Sequence, residues 1–270
     1  MYQDDRLEGV FKCIVEAYIQ TAEPVGSRTV SRMYPGGLSP ASIRNVMADL
    51  EDMGYIQQPH TSAGRIPTAL GYRYYVDRMI TQEAKRPADL PDAHETLARA
   101  QDIEDVAETA SHLLAELTQN AGLAFVRNLS RLSYVTDDGL ASTPGSDALH
   151  RARTGDYHRL YVDGARHVFG QPEFSDIQRA QALLRALEIK RALVDFLEKG
   201  INDDATHVYI GEEVSCEGLR EVSMIVKRYT FHGRPVGCLA VMGPIRMRYD
   251  RTVGIVSRLA DEVSEVLDEI

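Results

Sequence analysis

Leu38-Ser39-Pro40-Ala41-Ser42-Ile43-Arg44-Asn45-Val46-Met47-Ala48-Asp49-Leu50 is the stretch on which the fold of this 270-residue chain turns. Ser39 offers a hydroxyl to cap a helix, and Pro40 stands at the first helical position, where its missing N–H costs nothing. Ile43, Val46, Met47 and Leu50 follow at i, i+3, i+4 and i+7, which is one apolar stripe. At 100° per residue, Ala41, Asn45 and Ala48 face away from that stripe, with Ser42 and Arg44 on its shoulders. Gly54 marks the helix exit.

Upstream, Leu7, Val10, Phe11, Ile14, Val15, Tyr18 and Ile19 recur at three- and four-residue spacing and predict a first helix of about four turns. Glu23-Pro24-Val25-Gly26 stops it. Ser27 is placed to cap a short second helix through Met33, with Val30 and Met33 turned inward, and Pro35-Gly36-Gly37 forces the turn before Ser39. Downstream, Tyr55–Pro59 reads as a short strand, His60–Gly64 as a turn and Arg65–Thr68 as the returning strand. Pro59 and Pro67 suit only a short edge ribbon. Three helices followed by such a hairpin make the winged variant of the helix-turn-helix, a unit that reads DNA and in other proteins docks protein.

The residue types favour DNA. Asn bonds bidentately to adenine and Arg to guanine in a major groove, so Asn45 and Arg44 are candidate base readers and the small Ala41 and Ala48 let the helix sit deep. Ser27, Arg28, Ser39, Ser42 and Arg73 complete the candidate DNA-binding set, with Arg65 assigned to the hairpin tip, where it would enter a minor groove or grip phosphate. The net charge of −10 opposes phosphate binding, but it is uneven. No acidic residue lies from Val25 to Ala48, which holds Arg28, Arg32 and Arg44, and none from His60 to Val76, which holds Arg65 and Arg73.

Beyond a linker expected over Thr81–Asp92, Leu97, Ile103, Val106, Ala110, Leu113 and Leu117 fall near heptad spacing, which fits packing on a second copy or on the chain's own carboxy-terminal part. From Leu160 the order is strand (160–162), helix (177–199), strand (207–211), then a strand pair (222–231 and 236–242) joined at His232-Gly233-Arg234. A last helix places Val256, Leu259, Val263, Val266 and Leu267 on one face. Asp137–Asp156, rich in Gly, Ser, Pro and charge, reads as a loop. The fold class is therefore α+β.

Three runs in the first eighty residues, Glu23–Arg32 (EPVGSRTVSR), Leu38–Leu50 and Gln58–Asp77 (QPHTSAGRIPTALGYRYYVD), closely resemble the heat-inducible transcription repressor family HrcA. Gln171–Asp176 (QPEFSD), Ile210–Glu213 (IGEE) and Gly243–Tyr249 (GPIRMRY) are similar to its carboxy-terminal signatures, in the same order. With the spacing read above, this gives a winged helix-turn-helix domain over 1–80 and a linker with a helical segment over 81–120 that can serve dimerisation, and the resemblance implies a GAF-like α+β domain over 121–270. It further implies a homodimer that represses chaperone genes from an inverted-repeat operator called CIRCE, with the GroE chaperonin as a further partner. Only about fifty residues separate Asn120 from the QPEFSD run, so the family's inserted dimerising segment is reduced or absent here.

Other chemistry finds little support in the residues. The three cysteines, Cys13, Cys216 and Cys238, are far apart, show no CxxC spacing and read as buried thiols of a reducing compartment. His158, His167, His207 and His232 lack metal-ligand spacing, and Glu212 and Glu213 would point to opposite faces of a strand. No catalytic residue, metal or cofactor is expected. No apolar run reaches the roughly 18 residues of a membrane span, and MYQDDRLEGV lacks the basic and apolar regions of a signal peptide, so a cytoplasmic location without membrane contact is expected. A protein-binding adaptor is the competing function.

Overall fold

The computed structural model describes residues 2–61, 63–82, 90, 92–127, 158–188, 190–216 and 218–270. The loop expected over Asp137–Asp156 and most of the expected linker lie outside these residues. Two compact units are formed, one from residues 1–86 and 244–250, the other from 87–243 and 251–270. Among the described residues no helix is long and apolar enough to cross a membrane.

The first unit runs α1 (Tyr2–Thr21), α2 (Ser27–Met33), α3 (Pro40–Asp52), β1 (Ile56–Gln57), β2 (Ile66–Pro67) and α4 (Ala69–Gln82). Val10, Phe11, Ile14, Val30, Ile43, Val46, Met47 and Leu50 are all buried, which is the stripe pattern expected of three packed helices. Ser39 caps α3, its hydroxyl accepting the Ser42 N–H at 3.1 Å. Gly54 leaves α3 at a φ of +76°, a conformation that favours glycine. Two details differ from the expected pattern. Ser27 is the first residue of α2, after Gly26, and its side chain makes no capping bond; Met33, expected inward, is 40% exposed because α2 ends there. Pro244–Asp250 completes this unit: Arg246 Nη1 donates to the Ile19 carbonyl at 3.1 Å, and buried Tyr249 sits against Tyr72 with ring centroids 6.1 Å apart.

The second unit contains α5 (Ala93–Leu97), α6 (Ile103–Thr118), β3 (Ala121–Arg127), β4 (His158–Asp163), α7 (Ala165–Phe169), α8 (Ile177–Glu188) and α9 (Lys190–Gly200). It continues through β5 (His207–Ile210), β6 (Val222–Phe231), β7 (Arg234–Pro244) and α10 (Tyr249–Glu269), whose first two residues belong to the first unit. One five-stranded sheet has the order β4-β3-β7-β6-β5, with β4 and β7 antiparallel to β3 and β5 antiparallel to β6. At the β6–β7 turn, His232 and Gly233 both take positive φ, as a tight hairpin of matching twist requires. Helices cover both faces. Leu123, Phe125, Met224, Cys238 and Ala240 share a core with Leu183, Leu193 and Leu197 of α8 and α9. On the other face α6 lies against β3 and β4, and Ser264 of α10 accepts the Thr230 N–H of β6 at 2.9 Å.

The heptad-spaced segment is not one continuous seam. Leu97 ends α5, and α6 restarts at Ile103 with Asp102 as its cap. Val106, Ala107, Ala110, Ser111 and Leu114 are buried against the chain's own sheet, where small residues permit close approach, while Leu113 and Leu117 sit half-buried at the rim. Gly211–Glu213 is a single 3-10 turn rather than the end of a strand: Glu213 accepts the Ile210 N–H at 2.9 Å, and Glu212 faces Arg220. The three cysteines are free and buried, and burial pushes the Cys238 thiol far above its usual range.

Carboxylates at the edges of this unit give it an acid limit. The His112 ring, 2.7 Å from Asp163, and Lys227 beside Asp204 hold those carboxyls below their usual range. A depressed folded pKa contributes stability above the unfolded value, about 3.9, and loses it as the pH falls through the folded value. Urea midpoints should therefore drop as pH is lowered from roughly 5 to 3, and Asp163→Asn should flatten that drop. The effect is small because both groups are well exposed.

Candidate nucleic-acid interface

The capped, proline-started helix α3 turns its buried stripe into the three-helix core, and the geometry of the opposite face follows from that. Ala41, Arg44, Asn45 and Ala48 are exposed, and Ser42 is half-buried beside them. Two small residues flanking an amide and a guanidinium leave the backbone of α3 accessible to a groove-sized partner. Arg28 on α2 is also exposed, whereas Ser27 is half-buried. Ser39, expected as a contact residue, has its hydroxyl engaged as the cap and 3.0 Å from the Ser42 hydroxyl.

The hairpin stands next to this face. Its strands pair Ile56 with Pro67 and Gln57 with Ile66, and the tip is closed by Gln58 Nε2, which donates to the carbonyls of Thr61 and Ala63 at 2.9 and 3.1 Å. Among the described residues of the tip, His60 and Thr61 are exposed. Between α2, α3 and the hairpin lies a hollow of about 350 Å³, bordered by Gly26, Ser27, Arg44, Met47, Gly64 and Arg65.

Arg65 is not at the tip. Its backbone pairs with Val25 through two N–H to O bonds of 2.9 Å, which fixes it beside the two-pair ladder, away from His60 and Thr61. Its guanidinium engages Glu51 at the end of α3, with Nε and Nη2 2.9 and 2.8 Å from one carboxylate oxygen. Gly64 makes the approach possible, since a Cβ there would lie 2.5 Å from both the carbonyl carbon and oxygen of Val25. Arg73 on α4 is half-buried, reaches Asp77 at 3.2 Å and does not border the hollow. Residue spacing brought out neither Gln58 nor Glu51; the only local sign of the first was a polar residue at the edge of a predicted turn.

Among the described residues, one grouping has metal-ligating side chains together: His94, Glu262 and Glu265. Both oxygens of Glu262 are already engaged, one 2.9 Å from His94 Nδ1 and the other by Arg258.

The whole chain resembles known proteins. It is 34% identical over its full length to the heat-inducible transcription repressor HrcA of Pelotomaculum thermopropionicum, of which it covers 98%. This chain belongs to the HrcA family. The HrcA of Symbiobacterium thermophilum is 32% identical over 97% of the chain and 98% of that protein. The description "HrcA protein C terminal domain" matches residues 136–253. The alignment with the Pelotomaculum HrcA runs to 342 positions against 270 residues here, so the relative is the longer protein. A crystal structure described as that of a hypothetical protein shares the fold, with a TM-score of 0.74 at 22% identity and 98% of each chain covered. Membership in the HrcA family makes this chain a negative regulator of transcription in the heat-shock response, and HrcA proteins are repressors rather than enzymes.

Proposed function

We propose that this chain is a cytoplasmic homodimer that binds an inverted-repeat operator of the CIRCE type upstream of chaperone genes and is released on heat stress, with the GroE chaperonin as a further partner. The observation that carries the reading is the exposed face of α3, where Arg44 and Asn45 stand between two alanines beside the hairpin wing. In this reading Ala41, Ser42, Arg44 and Asn45 lie in the major groove, Ser27, Arg28 and Ser39 follow the phosphates, and Arg65 and Arg73 shape the flanks. A two-fold operator requires two copies of α3 at a fixed spacing, hence the dimer. Residues 1–80 act as the DNA-binding domain, and the remainder as the assembly and response part.

Analytical ultracentrifugation with a labelled inverted-repeat duplex and a scrambled duplex tests this. The expected result is a complex of two protomers on the repeat alone. A monomer indifferent to both duplexes, with or without chaperonin, would instead favour a protein-binding adaptor. Arg28→Ala is expected to weaken binding equally on both duplexes and to lower the slope of log K against log salt by about 0.9, the value for one phosphate contact. An unchanged slope would remove Arg28 from the phosphate set.

A further inference from the structure

We infer that Arg65 serves Glu51 rather than DNA: the pair is a clasp that sets the angle of the wing against α3, and Glu51 is a positioning residue for operator recognition. The inference rests on the DNA-binding reading above. Three contacts converge on Arg65. Directly before β2, its N–H and its carbonyl each join Val25 in the segment between α1 and α2, and its guanidinium closes on Glu51 in the last turn of α3. Two of its five donors go to the same carboxylate oxygen, and the side chain is only 23% exposed. A guanidinium held in this way is poorly disposed to reach a phosphate.

The hairpin's own bonds do not set its angle to α3. Its ladder consists of two residue pairs, and the tip bonds of Gln58 remain within the hairpin. At its helix-side end the hairpin is seated by buried Ile56 and Pro67 and by Thr68, whose hydroxyl donates to the Gly54 carbonyl at 2.6 Å; closer to the tip it is tied to the helices by the Gly64–Arg65 approach to Val25 and the reach of Arg65 to Glu51. Glu51 lies at the end of the reading helix, where a carboxylate opposes the approach of phosphates. Its contribution to binding is therefore geometric. A wing held at one angle lets base contacts from α3 and backbone contacts from the wing form together, as pre-organised recognition requires.

The test uses the full-length chain, with binding to the inverted-repeat duplex followed over a salt series for the wild type, E51Q, R65Q, E51Q/R65Q and the swap E51R/R65E. Each single change is expected to weaken operator binding about fivefold, and the double change by about the same factor rather than its square, since both remove one interaction. The swap should recover most of the loss. The salt slope should be the same in R65Q as in the wild type, whereas a lost phosphate contact lowers it by about 0.9. Without DNA, hydrogen exchange at the Val25 and Arg65 amides should quicken in E51Q. A lower slope in R65Q, with E51Q binding as tightly as the wild type and unaltered exchange at those amides, overturns the clasp. Absence of salt-sensitive binding by the wild type overturns the DNA-binding reading instead, and the exchange experiment then decides whether the clasp exists.

Discussion

Asn45→Ala is expected to reduce the preference for the inverted-repeat operator over a random duplex by roughly tenfold to a hundredfold, with random-duplex affinity almost unchanged. A well-placed amide reading an adenine edge contributes about 1–3 kcal/mol of discrimination. Asn45 carries no charge, so it adds nothing to the attraction between the protein and phosphate as such. It is exposed on the face opposite Ile43, Val46, Met47 and Leu50, so its removal leaves the core of the unit intact. The comparison to make is a pair of titrations at one salt concentration. Equal losses on the two duplexes would place Asn45 on the backbone, and no loss on either would take it out of the interface.

Gly237→Ala is expected to destabilise the second unit by about 3 kcal/mol, at the upper end for an added methyl in a packed site. A Cβ at Gly237 would lie 2.1 Å from the Phe125 carbonyl oxygen and 2.3 Å from the Tyr229 hydroxyl. Those two atoms are already joined, because Tyr229 of β6 crosses β7 at the glycine and donates to that carbonyl on β3 at 3.0 Å. The methyl would have to displace a strand backbone or break a buried hydrogen bond, and both are costly. Urea unfolding followed by circular dichroism gives the change in stability. Tyr229→Phe should relieve part of the loss caused by Gly237→Ala because the two sites share the crossing. A loss below about 1 kcal/mol would mean that the strands move apart easily, contrary to the packing described.

Several elements were legible from spacing because burial repeats with the backbone's own period. The apolar set of α3, the stripe of α10 from Val256 to Leu267 and the capping Ser39 all sit where the pattern placed them. The β6–β7 hairpin was likewise visible, since its turn depends on residues adjacent in sequence. The exposed row Ala41, Arg44, Asn45 and Ala48 follows directly from the buried one, so the face of the candidate interface was also legible.

Other features were not. The central strand β3, Ala-Gly-Leu-Ala-Phe-Val-Arg over 121–127, is apolar on both faces, and so lacks the alternation that reveals a half-buried strand. Its neighbours are β4, beyond Tyr157, and β7, more than a hundred residues along the chain. The heptad-like spacing of α6 allowed two partners, and its small residues met the chain's own sheet. Arg65 belongs to the same class: its expected place at the hairpin tip suggested a cation free to reach DNA, but Val25 and Glu51, forty and fourteen residues earlier, hold it beside the two-pair ladder. Periodicity, caps and turns arise from interactions within a few residues and are written in the order of the chain. Which strand lies in the middle of a sheet, and which carboxylate a guanidinium reaches, is settled by packing between segments distant in sequence, where many pairings are compatible with one local pattern and the folded core admits one.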